Sequence, residues 1–403
     1  MNMGEWKEYT VEQLIDLDML ETPMDGNHGG IHPKTSDYVA TGVPFVMVND
    51  MSNGRIDLTN CAFISEEQAA TLRKGFAKPG DVLLSHKATI GRTAIVPSDF
   101  DTIILTPQIT YYRVKKGIYN KYLKYYFDSP NFQTLFNNWA GSGSTRAYLG
   151  ITAQRKLPIM LPEMDEQVKI ADILSSIDEK IDKNNDINSN LEQQAQAIFD
   201  KYLNLSELPS GWVSSNLLDI ADYLNGLAMQ KYRPSDDETG LPVLKIKELR
   251  QGCCDSNSEL CSEKINTNYI INDGDVIFSW SGSLLVDFWC GGKCGLNQHL
   301  FKVSSTKYDK WFYYAWTKHH LNRFIAIASD MATTMGHIKR EELSKAIVFI
   351  PTDEEYKHIG SLLKPIYDAI IGNRLENNHL ASIRDTLLPK LMSGEIDLSS
   401  IDI

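Results

Sequence analysis

Two stretches of the chain place apolar residues at alternating spacings of four and three. The first runs through Ile170, Leu174, Ile177, Ile181, Leu191, Ala195, Ile198 and Tyr202, with Asn184 and Asn188 in the two central positions. The second repeats the register through Ile359, Leu363, Ile366, Ile370, Asn373, Asn377, Leu380, Arg384, Leu387 and Leu391. This periodicity predicts two long helices that pair along a coiled-coil seam. Glu163, Asp165 and Glu166, then Asp353, Glu354 and Glu355, stand where each helix should begin and suit the positive end of its dipole. If the helices pair antiparallel, Asn184, Asn188, Asn373 and Asn377 meet in one central layer. Buried amides fix register, because a slip leaves them unpaired. Arg384 interrupts the second seam, and Pro365 is expected to kink or start that helix.

The chain before each helix has a different texture. Short β-rich runs, such as Val43–Val48, Val82–Ser85, Ile109–Val114 and Leu241–Ile246, are broken by Gly, Pro and Asn. No glycine-rich phosphate loop follows a strand, so each block reads as mixed α+β rather than a βαβ array. The blocks are also copies of one another. Trp6 matches Trp212, Pro44 matches Pro242, and Gly80-Asp81-Val82 matches Gly274-Asp275-Val276. Gln108 pairs with Gln298, and Leu161-Pro162 with Ile350-Pro351. The offset shrinks from 206 to 189 along the way, as small deletions in the second copy would produce.

Composition narrows the class. The chain has 403 residues, 42% hydrophobic, enough for sizeable cores. No run of 18 apolar residues suggests a membrane span, and the first residues lack a basic-then-apolar leader. Six cysteines are too few for a disulfide scaffold, so a cytoplasmic protein is expected. The net charge of -12 is uneven. Residues 6–150 and 204–350 carry -1 and -2, whereas 151–203 and 351–403 carry -4 each. Nearly neutral blocks therefore alternate with acidic helices.

Catalytic signatures are missing. There is no G-x-x-x-x-G-K-[ST] loop, no H-E-x-x-H, and no Asn/Asp-Pro-Pro-Tyr/Phe of an amino-methyltransferase. Five cysteines fall in the second half without a C-x-x-C pair, which favours free thiols over zinc. Nucleic acid fits better. Residues 111–126, including Lys115 and Lys116, join five basic residues to six tyrosines without an acid. Residues 302–323 repeat that flavour. These segments either contact phosphates and bases or bury their aromatics under a wet lysine face. Polar turns are the better candidates for reading bases. In the first copy they offer Ser85, His86, Lys87, Thr89 and Arg92, with Gln108, and a Gly-rich loop with Ser142, Ser144, Thr145 and Arg146. The second copy offers Trp280, Ser281, Ser283, Asn297, Gln298, Thr333, Thr334, His337 and Lys339.

The order of variable block, Leu161-Pro162-Glu163-Met164-Asp165-Glu166-Gln167, long helix, second block and second helix resembles the specificity subunit of type I restriction–modification systems. The closing run Arg384-Asp385-Thr386-Leu387-Leu388-Pro389-Lys390-Leu391-Met392-Ser393-Gly394-Glu395-Ile396 looks like that family too. One departure is Glu354-Glu355-Tyr356, where the family usually has Glu-Gln. The resemblance implies an α+β fold with target-recognition domains at 1–160 and 205–350. Spacer helices at 161–204 and 351–403 would pair as an antiparallel coiled coil with pseudo-twofold symmetry. It implies a chain without catalysis of its own that reads a bipartite site in double-stranded DNA. Two methyltransferase subunits would dock on the helices, and restriction (helicase-nuclease) subunits would join through that core. S-adenosylmethionine, ATP and Mg belong to those partners. The helices would act as a ruler: 33 seam residues span about 50 Å at 1.5 Å each. Two other readings remain: a self-contained DNA-modifying enzyme with a degenerate site, and a coiled-coil interaction protein.

Overall fold

The computed structural model describes residues 6–141, 147–330 and 336–398. It separates into two units, residues 1–179 with 381–403, and residues 180–380. The helix Met164–Tyr202 gives its first residues to one unit and the rest to the other, as does the helix Asp353–Met392.

In the first unit a four-stranded antiparallel sheet has the order Thr93–Ile95, Val82–Ser85, Ile109–Tyr112, Met24–Asp25. A five-stranded mixed sheet contains one parallel pair, Val43–Val46 with Ile103–Leu105. A separate ladder joins Lys7–Thr10 to Pro158–Leu161. The core packs Leu84, Tyr112, Tyr122, Phe127 and Phe136 against Ile170, Leu174, Leu388 and Leu391 of the two long helices.

The second unit repeats the plan. Its antiparallel sheet runs Asp222–Asn225, Leu300–Ser304, Val276–Ser279, Leu285–Phe288. Its mixed sheet has the parallel pair Leu241–Leu244 with Cys294–Leu296, and its ladder joins Val213–Asn216 to Ile347–Ile350. The duplication and the α+β class are both present in the fold.

Backbone hydrogen bonds correct one detail of the repeat. His86 N–H donates to the Gln108 carbonyl, and Trp280 N–H to the His299 carbonyl. Ile109 N–H donates to Thr106, and Leu300 N–H to Asn297. Gln108 is therefore equivalent to His299, one residue beyond the Gln298 that residue identity suggests.

The helices run antiparallel. In the second unit Asn184 donates to Asn377 at 2.8 Å, and Asn373 donates to Asn188 at 2.9 Å. Asn184 also donates to Glu376, and Asn377 to Asn185. In the first unit Arg384 pairs with Asp178 at 2.9 Å. Pro365 neither starts nor ends its helix, which is continuous from Asp353 to Met392. The proline sits on an exposed face, where water can replace the amide donor that the ring removes.

The Gln that closes the run Leu161–Gln167 has a visible task. Gln167 is buried; it accepts from Tyr119 N–H and donates to the Gly117 and Pro162 carbonyls. At the departure in the second copy, the Tyr356 hydroxyl accepts from Asp309 N–H at 2.8 Å. Tyr119 and Asp309 each precede the first turn of an equivalent helix, where orphan N–H groups need partners. A different side chain fills the same vacancy.

The basic–aromatic segments belong to the core. Tyr112, Tyr122 and Tyr125 are buried, and Lys124 is 8% exposed, paired with Asp128 and Asp178. Trp311, Phe312, Tyr314 and Trp316 are buried, with Lys302 on Asp275 and Lys318 on Glu192. Composition alone could not reveal that these cations already have partners.

Candidate nucleic-acid interface

The polar turns of both copies sit at the end of a central strand. In the first unit, Ser85 closes the turn. Its N–H donates to the Arg92 carbonyl, its carbonyl accepts from Gly91, and its hydroxyl accepts from Arg92 N–H at 2.8 Å. Ser85 is fully buried, so its hydrogen-bonding capacity is used inside the protein. His86 is also fully buried. Its Nδ1 lies 3.0 Å from the Leu149 carbonyl, which assigns the proton to Nδ1. Nε2 is then a buried acceptor with no hydrogen-bond partner among the described residues. Burial pushes this imidazole below its usual pKa, against the pull of Leu149 and Asp25, and keeps it neutral.

The turn is clasped by the segment after residue 146. Ala88 N–H donates to Ala147, and Leu149 N–H to the His86 carbonyl. Lys87 lies over the Tyr148 ring, 5.9 Å from its centre, and Tyr148 is 51% exposed. Lys87 and Thr89 are exposed and Gln108 is half-buried. Arg92 is exposed, yet its guanidinium donates to the Val48 and Met51 carbonyls. Beside the turn, Asp25 accepts from Lys74 and, at 2.8 Å, from His28. Burial raises its pKa, but the hydrogen bonds from Lys74 and His28 outweigh that and hold the carboxyl below its usual range.

The second unit builds the same clasp from other side chains. Ile338 N–H donates to Trp280, and Gly282 N–H to Gly336. Trp280 Nε1 donates to Asn225 Oδ1 at 3.0 Å, and its ring faces His299 and His337. Ser281 is buried with its hydroxyl 3.1 Å from His299 Nδ1. Asn297 is buried and accepts from His299 N–H. Gln298 keeps a buried Oε1 without a partner among the described residues. His337 and Lys339 are exposed, and Ser283 is half-buried.

The structure thus gathers most candidates into one site per unit. Of these, Ser85 and Asn297 hold the turns, while His86 and Gln298 each leave one buried acceptor unmatched. Lys115 and Lys116 lie apart, past the far end of strand Ile109–Tyr112 from Gln108, and Lys115 is paired with Asp18. Ser142, Ser144, Thr145, Arg146, Thr333 and Thr334 lie outside the described residues. Sequence reasoning missed Asp25, His28, Lys74, Tyr148, Asn225 and His299. Gly26 and Gly226, each packed against a neighbouring backbone carbonyl, were the available signal, because Asp25 and Asn225 directly precede them. Among the described residues no group of three or more His, Cys, Asp or Glu is arranged to hold a metal.

A family model described as the type I restriction modification DNA specificity domain matches residues 3–193 and again 209–381. The chain belongs to this family. Specificity-family relatives match it end to end. The MjaIX specificity subunit of Methanocaldococcus jannaschii is 25% identical over 98% of this chain and 95% of its own length. The HindI specificity subunit of Haemophilus influenzae is 20% identical, covering 98% and 100%. A solved S subunit from M. genitalium superposes with a TM-score of 0.57 at 14% identity, covering 97% of each chain, which supports the shared fold.

Proposed function

We propose that this specificity-family chain recognises DNA and is not itself catalytic. Each unit reads one half of a bipartite double-stranded site through the turn after its central strand. The observation that carries this reading is a duplicated clasp with unlike surfaces: Asp25, His28, Lys74 and Lys87 in one copy, Asn225, Trp280, His299 and His337 in the other. A common scaffold with different polar tips suits two readers of different bases. The paired helices set the gap between half-sites and dock two methyltransferase subunits, with the Asn184–Asn377 and Asn188–Asn373 pairs fixing their register. S-adenosylmethionine, ATP and Mg act on those subunits and on a helicase-nuclease joined through them, in the cytoplasm. No helix among the described residues is long and apolar enough to cross a membrane.

The test exchanges residues 1–150 for the matching block of a relative and sequences the methylome of cells carrying the assembled complex. One half of the methylated motif should change and the other persist. Alteration of both halves, or of neither, would overturn the reading.

A further inference from the structure

The two clasps differ beside the turn. In the first unit, Gln133 closes the space: its Nε2 donates to the Gly91 carbonyl at 2.9 Å and to the Phe127 carbonyl. The helix Leu321–Asp330 is the counterpart of Pro130–Trp139, with Phe324 and Ala328 buried where Phe132 and Phe136 are. The position of Gln133 is then held by Ile325, which reaches no carbonyl and is 41% exposed. A groove of about 350 Å³ is left open there, lined by Arg250, Gly282, Ser283, Leu284, Ile325 and Ser329, among others.

The lining has a definite chemistry. Arg250 is exposed in the last turn of the helix Ile246–Gln251, with no ion pair or hydrogen bond among the described residues. The Ser283 hydroxyl has no protein partner either. Ser329 donates to the Ile325 carbonyl at 2.9 Å, leaving its oxygen free to accept. Among the described residues no carboxylate lines the groove. A guanidinium fork with a nearby hydroxyl suits a phosphate, and apolar walls suit the sugar beside it.

We propose that this groove seats a phosphate of the DNA backbone, with Arg250 as a positioning residue that carries no base information. The proposal rests on DNA recognition by the second unit. It gives that unit a grip that Gln133 denies to the first.

The experiment measures binding of the assembled methyltransferase complex to duplex DNA, with and without the methylated motif, from 50 to 200 mM salt. Arg250→Gln should weaken both duplexes alike, by about tenfold at low salt. It should lower the salt slope by about 0.9, so that the deficit shrinks about 3.5-fold across that range. Ile325→Gln, which copies the closure of the first unit and keeps Arg250, should weaken binding in the same uniform way. An unchanged slope and affinity for Arg250→Gln would overturn the proposal. So would loss confined to the motif-bearing duplex, which marks a base contact, or loss of methyltransferase capture, which marks a protein acid as occupant. A wild-type complex that ignored DNA altogether would overturn the underlying reading instead.

Discussion

At one equivalent place the two units solve the same packing problem with opposite chemistry. Asn120 and Lys310 both donate to the carbonyl of the matching glycine, Gly80 or Gly274, which aligns their helices. Lys124 then corresponds to Tyr314, and Asp178, one past the seam residue Ile177, corresponds to Tyr367. In the first unit Lys124 and the Tyr125 hydroxyl meet Asp178, which also pairs with Arg384. In the second, Tyr314 and Tyr367 pack edge to face with centres 5.0 Å apart, in a core cluster that also holds Ala195. The aromatic pair stabilises by burial and shape and tolerates approximate partners. The ionic cluster holds only while every charge is matched, because a buried unpaired charge is severely penalised. One backbone plan therefore permits either solution, and they should fail differently.

The largest difference is expected on breaking them. Asp178→Ala takes the shared partner from Lys124 and Arg384 and should destabilise the first unit by about 3 kcal/mol, the low end for a buried pair because Lys124 keeps Asp128 and Arg384 keeps Asp385. Denaturant unfolding would measure it. Adding Lys124→Met to that variant should recover part of the loss, since a desolvated ammonium left with Asp128 alone is then gone. Removing Tyr367 offers no such recovery by a second deletion. Equal recovery in both units would erase the contrast.

Acid should next act on different elements of the two units, through buried His86 and Asp178 in the first and His320 in the second. His320 Nε2 lies 2.8 Å from the Ile347 carbonyl, and burial pushes its pKa down to about 4. A histidine depressed in the folded state gives stability that is intact above its unfolded value, about 6.5, and fades as pH falls toward 4. In Asp178 burial raises the pKa, but Lys124, Tyr125 and Arg384 together hold it below its usual range. Its contribution is intact above about pH 4 and lost only as pH falls further. Hydrogen exchange in the ladder Val213–Asn216 with Ile347–Ile350 should therefore quicken between pH 6.5 and 4. His320→Gln, which keeps a donor but cannot titrate, should flatten that response. An unchanged response in His320→Gln would assign it elsewhere.

The smallest effect concerns the departure from the family pattern. Gln167→Ala should cost about 1–3 kcal/mol, because Tyr119 N–H, Gly117 O and Pro162 O lose their partner together. Tyr356→Phe removes both the acceptor for Asp309 N–H and the hydroxyl that donates to the exposed Asp309 carboxylate at 3.2 Å, which water can replace, and should cost about 1 kcal/mol. Thermal unfolding of both variants would rank them, and a larger loss for Tyr356→Phe would contradict the equivalence.

The legible parts of this fold were those written in spacing. The seams, the duplicated Gly-Asp-Val strands and the asparagine positions follow from periodicity, which packing must obey. The parts that spacing leaves open depended on partners outside any local pattern. Ser85 and His86 have polar side chains suited to reading bases, but Arg92 and Leu149 hold them inside. Lys124 has the composition of a phosphate contact, yet Asp178, on the following long helix, neutralises it. Asn225 lies far in sequence from Trp280, the turn residue whose indole it holds. Gln298 mimics Gln108 by identity, and only the backbone pairing of His299 reveals the one-residue shift.

The division of the chain sets an order for assembly during synthesis. Residues 180–380 form a continuous stretch, so every side chain of that unit's core is available once position 380 has left the ribosome. The other unit is interrupted. Ile170 and Leu174 pack with Leu388, Leu391, Met392 and Leu398, made more than two hundred residues later. Its contact order is correspondingly high, and its core stays open while the intervening unit is being made. For that interval the nascent chain carries an uncovered apolar stripe on the helix Met164–Tyr202, which makes it a natural client for a chaperone.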